Sequence, residues 1–283
     1  MRKPVLTISA AGTASLLGVW TVPVTAQVYD WTGPYVGVSL GAMQANGDVA
    51  LEYPDGVSAP DTLYFDADNV PHFSTAPLAV GAIAFPSIAQ LLSGKGGGTV
   101  NVGYDQQVGT LVYGAEIDAA FFTGGQSSWS TGTVFDAVNN RTHSLSVTSR
   151  IDQFYSFRPR MGVAIDRLML FGTAGLSLGR VDLESAASFS YTDLGYAGGT
   201  GNADWSGRMS NWQLGFIAGV GAEYALTDNV SLKVEGLYYN LGTAKVTAQG
   251  SGTYNSTPLT VAPYEASIDL SGAIVKGGIN FRF

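Results

Sequence analysis

Apolar and polar residues alternate one by one along most of this chain. The final stretch, 273–283, shows it most plainly. Val275, Gly277, Ile279, Phe281 and Phe283 fall on one face, and Lys276, Gly278, Asn280 and Arg282 on the other. A period of two is that of a β-strand, whose successive side chains point to opposite faces. The same alternation predicts seven earlier strands. The first follows the aromatic pair Trp31 and Tyr35 and sets Val36, Val38, Leu40 and Ala42 against Gly37, Ser39 and Gly41. Strands over 99–108 and 111–122 flank a two-residue turn, Gly109-Thr110. Strands over 150–165 and 168–189 flank Asp166-Arg167, and strands over 209–226 and 230–246 flank the turn at Thr227, Asp228 and Asn229.

The remaining segments, 49–98, 123–149, 190–208 and 247–266, read as loops. In the first, Pro54, Pro60, Pro71, Pro77 and Pro86 exclude central strands. Eight strands joined alternately by short turns and long loops predict an all-β fold, an eight-stranded antiparallel barrel. A soluble barrel of the lipocalin kind would turn its apolar face inward. Here the charges share one face while Trp212, Tyr224, Tyr238, Phe281 and Phe283 share the other, and the chain stops on an aromatic residue. That facing predicts a transmembrane barrel with lipid outside and charges inside, the short turns periplasmic and the long loops extracellular.

Composition agrees. Charged residues are only 13% of the 283, against ~25% in an average soluble domain, while Gly reaches 37 residues and aromatics 11%. Residues 1–26 read as a signal peptide: Arg2 and Lys3 precede a mostly apolar stretch, and Val24-Thr25-Ala26 offers small residues before a cut. An uncleaved anchor is the alternative, which Pro23 and the small residues fit less well. Residues 27–283 are then one barrel domain. The chain carries a formal charge of −8, and losing two basic residues with that segment takes it to −10. Such acidity excludes a nucleic-acid partner.

Several stretches are similar to one known family: WTGPYVGVSLGA, VGYDQQVGTLVYGAEID, RPRMGVAIDRLMLFGTAGLSLG, GVGAEYALTDNVSLKVEGLYYNLG and GGINFRF. Together they resemble the alphaproteobacterial outer-membrane β-barrel family of outer-membrane immunogens, porin-family small barrels akin to opacity proteins. The resemblance implies an outer-membrane location in a Gram-negative cell after signal removal, outer-membrane lipid as surroundings, and recognition of the C-terminal strand, with Phe281 and Phe283, by the barrel-assembly machinery. It leaves activity open, since members look like structural and surface-antigen proteins, with some implicated in solute passage, adhesion or haem binding.

The polar strand faces carry Asp105, Glu116, Asp118, Glu223 and Glu235 together with Arg158, Arg160, Lys233, Lys276 and Arg282. They read either as a pore lining or as a sealed, ion-paired interior. An eight-stranded barrel is just wide enough for side chains to fill, which favours sealing. Counting back from Asp228 sets Glu223 opposite Lys233, which should pair or share a polar partner. Glu116 and Asp118 face arginines, with no nucleophile or metal ligand beside them. His143-Ser144 and His72 fall in predicted loops without a supporting carboxylate, so neither catalysis nor a cofactor is expected. Segment 77–92, from Pro77 to Leu92, is an unusually apolar loop stretch, with Ser87 a candidate helix cap before Ile88, Leu91 and Leu92. It could dip into lipid, bind a partner, plug the mouth or pack on its neighbours. The expected function is a non-enzymatic structural and surface-exposed envelope protein. The alternatives are a narrow porin-like channel for small solutes, or an adhesin or haem binder meeting host or envelope partners through the loops.

Overall fold

The structure, a computed structural model, describes residues 29–46, 49–52, 64–65, 71–72, 96–123, 126–136, 141–192, 200–259, 261 and 263–283. The proposed signal segment and the stretch from Pro77 to Leu92 lie outside the described residues. Eight strands build the barrel: β1 (Gly33–Asn46), β2 (Gly96–Val108), β3 (Leu111–Phe122), β4 (Arg141–Ile165), β5 (Leu168–Thr192), β6 (Thr200–Ala225), β7 (Val230–Tyr254) and β8 (Tyr264–Arg282). Each is antiparallel to the next, and β8 returns to β1 with Arg282 opposite Tyr35 and Lys276 opposite Gly41. Closure gives every barrel strand two neighbours and so hides the edges an open sheet would present.

The three tight turns lie at one end. Val108 opposes Leu111 and Ile165 opposes Leu168, leaving two-residue turns, and Asp166 takes a positive φ of 52°, which Asp tolerates. Leu226 N–H donates to Val230 O at 2.8 Å to close the third.

The other end differs from all four predicted loops. The segment expected as a loop over 123–149 contains a strand, Gln126–Asp136, paired with the outer part of β4. β5 runs to Thr192 and β6 starts at Thr200, so most of 190–208 is strand. β7 continues to Tyr254 and β8 begins at Tyr264, so 247–266 is largely strand as well, with Thr257–Leu259 folded back on β7. In the first loop, Val49–Glu52 pairs with β8, and Tyr64–Phe65 pairs with Pro71–His72. Polar, Ser/Thr-rich sequence suggested loops; these residues form strands because they continue a ladder already begun below, and their outward side chains need only face water.

That last point is visible residue by residue. In the turn-proximal half of β5, Leu170, Ala174, Leu176 and Leu178 point outward and Thr173 and Ser177 inward. Past Leu178 the polarity exchanges faces: Arg180, Asp182 and Glu184 point outward, and Val181, Leu183, Ala187 and Phe189 are buried. β6 switches between Trp212 and Ser210, β7 between Tyr238 and Asn240, and β8 between Ala273 and Ser271. Register aligns these switches, since Trp212 opposes Arg180 and Tyr238 opposes Ala273. The barrel therefore has two zones: a lower one, apolar outside and polar inside, and an upper one built like a soluble protein.

The outward apolar run on β4, from Ile165 to Tyr155, spans ten residue steps. At ~3.3 Å per residue and a tilt of ~40°, it rises ~25 Å, the height of an outer-membrane apolar band. A 25-residue strand such as β5 carries the upper zone on by a further ~35 Å by the same measure. Near the switch β7 breaks register with both neighbours, and Gly242, at φ +75°, supplies the left-handed residue this needs.

Candidate functional site: the barrel interior

The ten charges expected on the polar faces are all buried in the lower lumen. Five carboxylates meet five cations, so this region is neutral, and every member has at least two opposite charges within 4.0 Å. Arg158 is the hub, with Glu116 at 2.7 Å, Asp118 at 2.5 Å and Glu235 at 3.3 Å. Arg160 holds Asp105 through both Nε and Nη2, with Glu223 at 3.1 Å. Lys233 reaches Glu116 at 2.6 Å and Glu235 at 3.6 Å; Lys276 bridges Asp118 and Glu235, both at 3.0 Å. Arg282 binds Asp105 at 2.9 Å and lies 3.8 Å from Glu223. A lone buried ion costs several kcal/mol, so such a set is sustainable only when mutually paired.

Two of the directly opposed charge pairs, Glu116 with Arg158 and Glu235 with Lys276, are also ion pairs. Glu223 and Lys233 are opposed as expected and share the inner face, but no ion pair joins them. Glu223 is instead held by Ser231 Oγ at 2.5 Å, Asn280 Nδ2 at 3.0 Å and Arg160. In a lumen this narrow, side chains converge on the axis, and Lys233 reaches across to β3 more readily than sideways to β6.

Uncharged residues complete the lower lumen. Tyr35 donates to Glu116 at 2.9 Å, and its ring lies under the guanidiniums of Arg160 and Arg282 at 4.6 and 5.0 Å. The Tyr35 hydroxyl occupies the space where a side chain on Gly103 would begin, 2.2 Å from an added Cβ, so position 103 admits only glycine. Asn101, Ser156, Ser231 and Asn280 add hydrogen bonds. None of the four was among the candidate site residues read from the sequence, although each lies on the same alternate positions as the charges.

The turn end is corked by the residues before β1. Tyr29 and Trp31 are buried against Val112, Ala164, Met169, Phe171 and Ala225. Trp31 N–H donates to Gln107 Oε1 at 2.8 Å, and Arg282 Nη1 donates to Trp31 O at 2.5 Å. Trp31 thus lies inside the barrel. At the other limit of the charged zone, a void of about 10 Å³ separates Asp118, Ser156 and Lys276 from Phe122, Phe154, Ile217 and Leu237. That is about the space one water fills. Above it the lumen is apolar, packed by residues such as Phe154, Leu183, Trp205, Tyr239 and Ile268.

On the outside, Tyr155 packs between Phe121, edge-on, and Trp212, tilted, with ring centroids at 6.5 and 5.7 Å, just below the level where polarity switches. Tyr104, Tyr113, Tyr224, Phe281 and Phe283 face outward toward the turn end. Two aromatic girdles enclosing an apolar band define the membrane limits. His143 sits on β4 opposite Phe189, and not in a loop, while His72 is in the short strand Pro71–His72. Among the described residues, no three His, Cys, Asp or Glu side chains are grouped to hold a metal.

This architecture has relatives. The chain is 30% identical over 226 residues to the 31 kDa outer-membrane immunogenic protein of Brucella melitensis, covering 78% of this chain and 77% of that one. It is 27% identical over 142 residues to the 22 kDa outer membrane protein of Rhizobium leguminosarum, about half of each chain. OprG of Pseudomonas aeruginosa, a solved outer membrane protein, aligns with 91% of this chain and 98% of its own at 10% identity and a TM-score of 0.40. The profile described as outer membrane protein beta-barrel domain matches residues 12–262, and with it the closed ring, the lipid-facing band and the Brucella likeness agree: the chain belongs to the outer membrane protein β-barrel family.

Proposed function

We propose that this protein is a sealed, non-enzymatic barrel of the outer membrane that strengthens the envelope and holds a rigid platform above the lipid. One observation carries the reading: among the described residues the lumen is filled by the Tyr29–Trp31 cork, the neutral ion-pair network and the apolar upper core. A water-filled pore would leave its lining charges solvated, whereas here Arg158, Asp105 and Glu223 have no accessible surface. The relatives' description as immunogenic proteins fits a platform that lifts hairpins clear of the bilayer. Export through a signal peptide cut after Ala26, and assembly guided by the outward Phe281 and Phe283, belong to the same proposal.

Planar-bilayer recording on the purified, refolded full-length mature chain tests it. The sealed reading expects no steady single-channel current at physiological salt. Regular open-channel steps would overturn it in favour of the narrow porin.

A further inference from the structure

Just above the Phe121–Tyr155–Trp212 belt, two exposed arginines face outward, Arg180 on β5 and Arg150 on β4. Arg180 lies in register with Trp212 on one side and Gln153 on the other; Arg150 opposes Asp182 one outward position higher, past the irregularity at Asp152. The two are therefore diagonal neighbours on one patch of wall. Among the described residues neither guanidinium has a hydrogen bond or ion pair. The cations higher on this wall are paired: Arg208 with Glu184 at 3.1 Å, and Lys245 with Glu265 at 2.7 Å. Asp182 lies opposite Arg150 without an ion pair to it, and Asp152 stands in the irregular stretch between them.

From this placement we propose that Arg150 and Arg180 clamp the phosphates of an outer-leaflet lipid headgroup, which in an outer membrane is lipid A. The inference rests on the outer-membrane reading and adds a ligand to it. Depth carries the argument. The belt fixes where acyl chains end, so the next outward position meets the headgroup layer, where phosphates reside. A guanidinium is suited to that partner, because its planar fork binds phosphate in a bidentate manner and its stem can lie along the apolar wall below. With acids nearby, the patch is no general basic field. Recognition depends on these two forks, which stay unpaired while the remaining outward cations with described side chains on this wall have carboxylate partners.

The test uses the refolded mature barrel in neutral-detergent micelles, titrated with lipid A and read by native mass spectrometry. Arg150→Gln with Arg180→Gln should weaken lipid A binding roughly thirtyfold, since each surface arginine near anionic lipid contributes about a fivefold share. Arg208→Gln, which removes a self-paired arginine higher up, should change it by less than twofold. Millimolar inorganic phosphate should not displace the lipid. Equal affinity in the double variant, an equal loss in Arg208→Gln, or displacement by free phosphate would each overturn the proposal. All three side chains are exposed, so native-like electrophoretic mobility of the variants checks folding. Bilayer conductance, measured separately, reports on the sealed reading and not on this site.

Discussion

Replacing Lys233 with methionine separates two accounts of the interior. The change keeps the aliphatic stem and removes the ammonium that holds Glu116 at 2.6 Å and Glu235 at 3.6 Å. Truncating one partner of a buried pair costs ~3–5 kcal/mol, because the remaining charge stays buried. Both carboxylates keep other partners: Glu116 retains Arg158 and Tyr35, and Glu235 retains Arg158 and Lys276. The cost should therefore fall near the low end, ~3 kcal/mol. A second change tells which carboxylate was stranded. Glu116→Gln and Glu223→Gln each restore neutrality, but only Glu116 touches Lys233. In a double-mutant cycle, Lys233→Met should couple to Glu116→Gln by ~1.5–3 kcal/mol and to Glu223→Gln by under ~0.5 kcal/mol. Urea unfolding of vesicle-inserted protein, followed by tryptophan fluorescence, supplies the four corners of each cycle. Equal coupling to both would refute the pairing argued from distance and replace it with a simple balance of net charge.

On the lipid face, Val220→Arg should destabilise by ~2–4 kcal/mol, while Ala186→Arg, outward but above the belt, should stay within ~0.5 kcal/mol in the same assay. Removing the cork with Trp31→Ala should cost ~3–5 kcal/mol and make the N-terminal segment cleavable by added protease, which the intact barrel resists. Gly242→Ala, at φ +75°, should lose ~1 kcal/mol, whereas Gly236→Ala, where an added Cβ meets nothing within 4 Å, should be close to neutral by thermal denaturation.

The lower zone was legible in the sequence because there the alternation is strict and the turns are short. Once the Thr227–Asn229 turn is placed, the opposition of Glu223 and Lys233 follows by counting. What counting does not give is the partner across the lumen: Lys233 binds Glu116, 117 positions away in sequence, and no local rule connects them. The upper zone was misread for a different reason. Segments such as 126–136 and 141–149 are rich in Ser and Thr, residues common to loops, and their inward Leu145 and Val147 are sparse. The exchange of faces between Leu178 and Arg180 was present in the alternation, but it shows itself as a membrane boundary only when neighbouring strands are in register. Trp31 and Tyr35 fall on the same alternate positions as Gly37 and Ser39, so both share the inward face, and Arg282 and Gln107 hold the Trp31 backbone in the lumen.

The central claim is that one level of the barrel, marked by Tyr155, Leu178, Trp212 and Tyr238, separates a lipid-embedded half from a half standing in water. The chain has no cysteine, so single cysteines can be placed on the outer wall without background and exposed to a membrane-impermeant maleimide on intact cells. Cysteine at Ser190, Ser206 or Thr247, all outward above that level, should label fully; cysteine at Val163, Leu176 or Val220, all outward below it, should label only after detergent is added. Labelling of the lower set on intact cells, or protection of the upper set, would contradict the account.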